Sequence, residues 1–162
     1  MKCIVIYLKI ISVYIFLLMS VDAEETIPVD ITSDEMQWND KERIAYALGN
    51  AVAIQGDRKI KADKLIVYLE KNNDTNEIIL IKAEGNIIFT TIDEIATGEM
   101  ATYDFVKNNI IIKNNVTLKK SDNIMKGDLL KMNLNTGISE ISSKKDSKKV
   151  KMRFLPKKSE GE

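Results

Sequence analysis

The sequence predicts an all-β fold, a twisted open β-jelly roll or sandwich built from repeated antiparallel hairpins. Three observations carry this expectation. A short pattern returns four times: Ile31-Thr-Ser-Asp34-Glu-Met36, Ile60-Lys-Ala-Asp63-Lys-Leu65, Ile95-Ala-Thr-Gly98-Glu-Met100 and Ile124-Met-Lys-Gly127-Asp-Leu129. The copies start 29, 35 and 29 residues apart, and self-similarity at such a period marks one supersecondary unit stacked on copies of itself. A second element follows in phase, as Gly49-Asn50-Ala-Val52-Ala-Ile54, Gly85-Asn86-Ile-Ile88-Phe89 and the weaker Asn114-Asn115-Val116-Thr-Leu118. Finally, the segments between turn residues are short and rich in β-branched side chains, for example 65–69, 78–81, 109–112 and 116–118, which are strand lengths and strand residues.

The N-terminus reads as a targeting segment rather than as part of the fold. Lys2 opens a short basic region, residues 4–19 are almost wholly apolar, and Val21-Asp-Ala23 places small residues where signal peptidase prefers them. Cleavage after Ala23 is expected. The alternative is an uncleaved membrane anchor, although a spanning helix wants about 20 apolar residues and this run is shorter and interrupted by Lys9. Cys3 lies too early to be a lipid attachment site.

Without residues 1–23 the chain has neither cysteine nor histidine, so an exported protein of this kind must be held by a core rather than by disulfides. Charge is uneven. Residues 144–162 carry eight basic and three acidic groups, leaving 24–143 with 14 against 20. A mildly acidic body argues against a nucleic-acid partner, which usually requires Lys and Arg on the folded face. The basic tail has little apolar content and is expected to be disordered and not to extend the sheet. Pro28 and Pro156 flank the repeats and none falls within them, as a continuous strand ladder requires. The expected organisation is a signal peptide over 1–23, one β domain over 24–143 and a tail over 144–162.

Turn chemistry separates the strands at 39–40, 56–57, 71–76, 107–109, 121–123 and 135–137. No sustained apolar period of 3.6 predicts a helix in the mature chain. Each repeat therefore reads as a hairpin, going out through Ile-x-x-Asp/Gly and returning through Gly-Asn. The six extra residues of the second copy are expected in a longer loop at 72–76. The Ile and Met/Leu positions lie five apart, so strict alternation would put them on opposite faces. A bend at the intervening Asp or Gly would return both to one face; a flat strand buried on both sides is the other reading. A parallel β-solenoid is the competing architecture, but its coils are unidirectional and lack central hairpin turns.

Catalysis finds no footing. Lacking histidine and cysteine, the mature chain offers no Ser-His or Cys-His nucleophile and no ordinary zinc site, and no glycine-rich phosphate loop is present. Asp34 and Asp63 recur at bends, but Gly98 and Gly127 replace them, which suits a backbone role and not acid–base work. No enzyme activity, cofactor, metal or catalytic residue is expected. Trp38 reads either as core filling or as an amphipathic aromatic at the mouth of an apolar groove.

The order of these motifs after a signal peptide, Ile-x-Ser-Asp-x-Met and then Ala-Asp-x-Leu with Gly-Asn-Val-x-Ile, resembles the OstA-like family of periplasmic lipopolysaccharide transport proteins over about residues 29–143. The resemblance implies a bridge carrying lipopolysaccharide from inner to outer membrane, acyl chains inside and sugars in water. It implies as partners the homologous β-jelly-roll domains of inner-membrane (LptC-like) and outer-membrane (LptD-like) transport components, and head-to-tail self-association. The expected inward, lipid-binding face comprises Ile31, Met36, Trp38, Val52, Ile54, Leu65, Val67, Ile87, Phe89, Met100, Val116 and Leu118. A membrane-anchored LptC-like relative and a structural surface β-repeat protein that binds no lipid are the alternatives. The fourth repeat ends in Gly137-Ile-Ser-Glu-Ile141 without a clear Gly-Asn strand, leaving its docking edge open.

Overall fold

The computed structural model describes residues 27–72, 75–144 and 149–154; the expected signal peptide or anchor lies outside the described residues. Ten strands form one antiparallel sheet: β1 (Asp30–Thr32), β2 (Glu35–Asn39), β3 (Ile44–Gln55), β4 (Arg58–Asn72), β5 (Thr75–Thr90), β6 (Glu94–Asp104), β7 (Asn109–Lys120), β8 (Asn123–Asn133), β9 (Ile138–Ser142) and β10 (Lys151–Arg153). The order is β1-β3-β4-β5-β6-β7-β8-β10, with β2 also on β3 and β9 also on β8. No helix occurs among the described residues. The sheet is not closed into a barrel.

All six long strands are broken in register near their middles, at Leu48/Ala51, Lys61/Lys64, Glu84/Ile87, Thr97/Met100 and Lys113/Val116 of successive pairs. These bulges line up across the sheet and crease it, so that it folds over on itself. One half, the front wall, runs from β2 through 44–48, 64–72, 75–84, 100–104, 109–113 and 129–133 to β9. The other, the back wall, runs from β1 through 51–55, 58–62, 87–90, 94–98, 116–120 and 123–127 to β10. The expected two-layered β fold is thus a single sheet whose halves face each other.

The crease is written in the second motif. Gly49-Asn50, Gly85-Asn86 and Asn114-Asn115 are pairs of residues in the left-handed region, with φ of 74° and 45°, 77° and 48°, and 64° and 51°. Glycine and asparagine tolerate that conformation best. Each Asn is tied to an acidic residue on an adjacent strand of the crease. Asn50 Nδ2 donates to Asp34 Oδ2 (2.9 Å), Asn86 Nδ2 to Asp63 Oδ2 (2.8 Å) and Asn115 Nδ2 to Glu99 Oε1. A Cβ at Gly85 would overlap the Asp63 carboxylate, so glycine there supplies both the positive φ and the room.

The partner of Asn115 corrects the phase of the repeat. In the third copy the acid at the crease is Glu99, not the residue at Gly98, and the inner apolar pair is Ala96 and Ala101. In the fourth the equivalents are Met125, Asp128 and Leu130, with Asp128 Oδ2 accepting from the Lys144 backbone N–H (3.0 Å). Gly98 has no positive φ. It is small because a Cβ would strike the Ile112 side chain. The expected bend does bring residues five apart onto one face. Ile60 and Leu65 are both buried, whereas Ile95 and Met100 share the outer face.

Two further expectations change. The extra residues of the second copy lengthen β4 and β5 to 15 and 16 residues instead of enlarging their loop, and the ladder continues to Asn72 opposite Thr75. The C-terminal segment is not wholly without structure, because Lys151–Arg153 pair with Lys126–Ile124 of β8. Met152 sits opposite Met125, which packs against the core; one apolar side chain and three residues of backbone pairing suffice to dock it there.

Both walls contribute to one hydrophobic core. The inner residues beside the crease include Ala51, Ala62, Ala83 and Ala101 but also Leu65, Ile87, Ile112 and Val116, and Val67, Ile81, Phe89, Tyr103 and Ile110 fill the space further out. The walls meet again at their free lips. Phe89 on the back wall packs edge-on against Tyr103 on the front wall (centroids 6.2 Å apart). Arg58 Nη1 donates to Tyr103 Oη (3.1 Å) and Asn108 Oδ1 (2.8 Å), and Tyr103 Oη donates to Gln55 Oε1 (3.0 Å).

Gly85→Ala should destabilise the protein by about 2 kcal/mol through backbone strain and the Asp63 clash, read as a lower urea midpoint. Tyr103→Phe, which keeps the ring and loses the bridge between lips, should cost about 1 kcal/mol and speed amide exchange selectively around 55–58 and 103–108.

Candidate functional site

The site to weigh is the apolar interior between the walls together with the sheet ends that leave it uncovered. Leu65 and Val67 on the front wall, and Ile87, Phe89, Val116 and Leu118 on the back wall, are fully buried within it. Ile31 lies opposite Ala53 and packs half-buried against the same core.

Met36 and Trp38 sit elsewhere. They pair with Ala47 and Ala45, and directly opposed residues share a face, so both point to the inner side of the front wall. β2 is its last strand, however, and among the described residues nothing lies beyond it. Met36 is therefore 56% exposed and Trp38 54%. The reading of Trp38 as core filling does not fit this exposure; the ring stands on the terminal strand at the end of the apolar interior. At the opposite end, Met152 on β10 faces inward and is half exposed. The interior is thus sealed along the crease and open toward both sheet ends.

Three expected inward residues face outward. Val52 and Ile54 alternate with Ala51 and Ala53, and it is the alanines that occupy the inner positions. Met100 is displaced to the outer face by the one-residue phase difference at Glu99, with Ala101 inside in its place. The bulky apolar side chain was the misleading signal in each case, because alanine holds the alternate, inner position beside it. The same bias hid Ala47, Ala62 and Ala83. Tyr103, Ile110, Ile112 and Ile81 were also missed as inner residues; simple alternation along β7 would have found Ile110 and Ile112.

Beyond the crease, the lips carry an ion pair of their own. Lys120 Nζ donates to Glu94 Oε1 at 2.6 Å, and this charge-assisted bond holds the ammonium above its ordinary pKa. Glu94 is the buried acidic residue here. A cleft of about 170 Å³ opens between the lips near the C-terminal end, lined among others by Arg58, Glu94, Lys120, Met132, Leu134 and Ser139. The Ser139 hydroxyl is buried there without a hydrogen-bond partner. Among the described residues no cluster of acidic, histidine or cysteine side chains converges as a metal site. Among the described residues the arrangement offers apolar surface and sheet edges.

The fold is shared with a protein of known structure. LptH from Pseudomonas aeruginosa, described as the LptA-homologous periplasmic component of the lipopolysaccharide transport device, superposes with a TM-score of 0.71 at 17% identity, covering 80% of this chain and 96% of that one. No curated protein gives a significant match. The family profile described as "LptA/(LptD N-terminal domain) LPS transport protein" matches residues 30–138, a span that takes in β1 to the first residue of β9 and every crease motif. The chain belongs to this family of lipopolysaccharide transport proteins.

Proposed function

We propose that the protein is a periplasmic bridge that carries lipopolysaccharide between membranes, holding the acyl chains between its two walls and leaving the sugars in water. The observation that carries this reading is the apolar interior that stays uncovered at Met36 and Trp38 on one end of the sheet. A protein needing only a stable core would cover these side chains. One needing a continuous apolar path would leave them for a neighbour to complete. Each buried CH₂ of an acyl chain contributes about 0.8 kcal/mol, and many equivalent weak contacts let a chain slide.

Loading requires the lips to part. The cleft between them holds about 170 Å³, whereas ligand sites for sizeable molecules run to roughly 300–1,000 Å³. The rest of the interior is filled by side chains. Separation breaks the Arg58, Tyr103 and Gln55 bonds and unstacks Phe89 from Tyr103, while the crease acts as the fixed spine. The inward lipid contacts proposed are Ile31, Met36, Trp38, Leu65, Val67, Ile87, Phe89, Val116 and Leu118, joined by Tyr103 at the lips. For partners, we propose homologous β-jelly-roll domains of inner- and outer-membrane components, or a second copy of this chain, adding strands to β1 and β2 at one end and to β9 and β10 at the other.

A photoreactive residue at Phe89 should crosslink to lipopolysaccharide, and one at Ile88, the adjacent outward position, should not. Equal labelling at both positions would refute an interior route. Self-association should rise with concentration in sedimentation velocity, and deleting 29–38, which removes β1 and β2, should block it. Deleting 149–162 uncovers the β8 edge that β10 occupies, and should change the association constant without abolishing assembly. A strict monomer at every concentration would restrict edge pairing to homologous partner domains.

A further inference from the structure

The outer faces of the two walls differ in charge. On the front wall Lys64, Lys82, Lys113 and Lys131 alternate with Glu35, Glu84, Asp104 and Glu140, and Lys64 is paired with Glu84 at 3.5 Å. The back wall has no such balance. Its outward positions from β3 to β10 fall into two rows set by the register. One row is Val52, Lys61, Ile88, Thr97, Thr117, Lys126 and Lys151; the other is Ile54, Lys59, Thr90, Ile95, Lys119, Ile124 and Arg153.

Six of these side chains are cations, five are branched aliphatics and none is acidic. No ion pair engages any of the six among the described residues. The nearest acidic groups lie at the margins: Asp30 on the terminal strand, Asp57, Asp93 and Asp122 in the turns, and Asp63, Glu99 and Asp128 at the crease. The crease acids are already hydrogen-bonded to Asn86, Asn115 and the Lys144 backbone. The aliphatics between the cations are exposed, Ile54 by 40%, Ile88 by 41% and Ile95 by 44%. A trough of about 710 Å³ at the β8–β10 edge continues the same composition, lined by Ile124, Lys126, Val150, Lys151, Met152 and Arg153.

We propose that this back-wall face is a docking surface for an anionic phospholipid bilayer. From β3 to β10 the two outward rows carry charge of one sign, with the acidic groups at their margins, which suits a surface carrying many phosphates. Isoleucines spaced between lysines suit the interface region, where aliphatic side chains enter the acyl boundary while lysine ammonium groups remain among the phosphates. The interior is oriented away from this face, so a chain lying on a membrane by its back wall keeps its groove ends free. The proposal does not depend on lipopolysaccharide transport, because the bilayer contacts the outside of the sheet.

Co-sedimentation of the purified protein with vesicles tests it, comparing pure phosphatidylcholine with phosphatidylcholine containing phosphatidylglycerol and no lipopolysaccharide. Binding should favour the anionic vesicles and fall as salt is raised. Lys61→Glu combined with Lys119→Glu should weaken it by about tenfold or more, whereas Lys113→Glu with Lys131→Glu on the front wall should leave it unchanged. Ile88→Ser with Ile95→Ser, which alters no charge, should also weaken vesicle binding while leaving heparin binding as it was. Vesicle binding indifferent to anionic lipid, equal losses from front-wall and back-wall reversals, or retention of full vesicle binding by the isoleucine variant would overturn the proposal. The last result would make the face a site for a polyanion or an acidic protein. Salt titration of the unaltered protein supplies the charge dependence should a variant fail to fold.

Discussion

The hydrogen bond from a crease asparagine to a crease carboxylate is the contact on which the rest of the molecule depends. Three left-handed pairs on alternate strands each force a break in the ladder, and an acid on an adjacent strand meets each break with a charge-assisted bond. Without that alignment the bulges would scatter and the sheet would twist without folding. With it, each long strand contributes to both walls, and a single layer of backbone encloses its own core. With a single cysteine, at position 3, the chain can form no internal disulfide, so this geometry rests on backbone pairing and side-chain contacts.

A folded sheet has an apex and two lips, and its chemistry is graded accordingly. Beside the apex alanines such as Ala51, Ala62, Ala83 and Ala101 share the inner positions with Leu65, Ile87, Ile112 and Val116. Aromatic rings and hydrogen bonds sit at the lips, where contacts can break without tearing the backbone ladder. The sheet ends differ again, since there the interior meets solvent directly at Met36, Trp38 and Met152. Membership of the lipopolysaccharide transport family gives this gradation a purpose. The bonded crease, the seam at the lips and the uncovered sheet ends are the features on which the proposed acyl-chain route rests.

The repeat and the antiparallel hairpins were legible in the sequence, but the sharp backbone was expected at the Asp or Gly of the first motif, whereas the left-handed residues are the Gly-Asn and Asn-Asn pairs of the second. The facing of side chains was legible only where copies kept phase. At Ile60 and Leu65 the apolar spacing reports the inner face. At Ile95 and Met100 the same spacing reports the outer one, because the third copy is displaced by a single residue and its true inner pair is alanine. An isoleucine on a lysine-rich outer face and an isoleucine in a core look alike as letters. The C-terminal strand was hidden for another reason. Three residues of backbone pairing leave no compositional mark, and a run of lysines reads as solvated chain whether or not it is hydrogen-bonded.

The wiring of the sheet also bears on how the chain reaches this state. From β3 to β8 every strand pairs with the one before it, joined by short turns. Each hairpin can therefore close against its predecessor without waiting for a distant segment, and loop-closure entropy is met in small instalments. Most β-sandwiches must pair strands far apart in sequence and fold slowly for that reason. Here the wiring lets growth run along the chain like a zip, each added hairpin lengthening both walls at once.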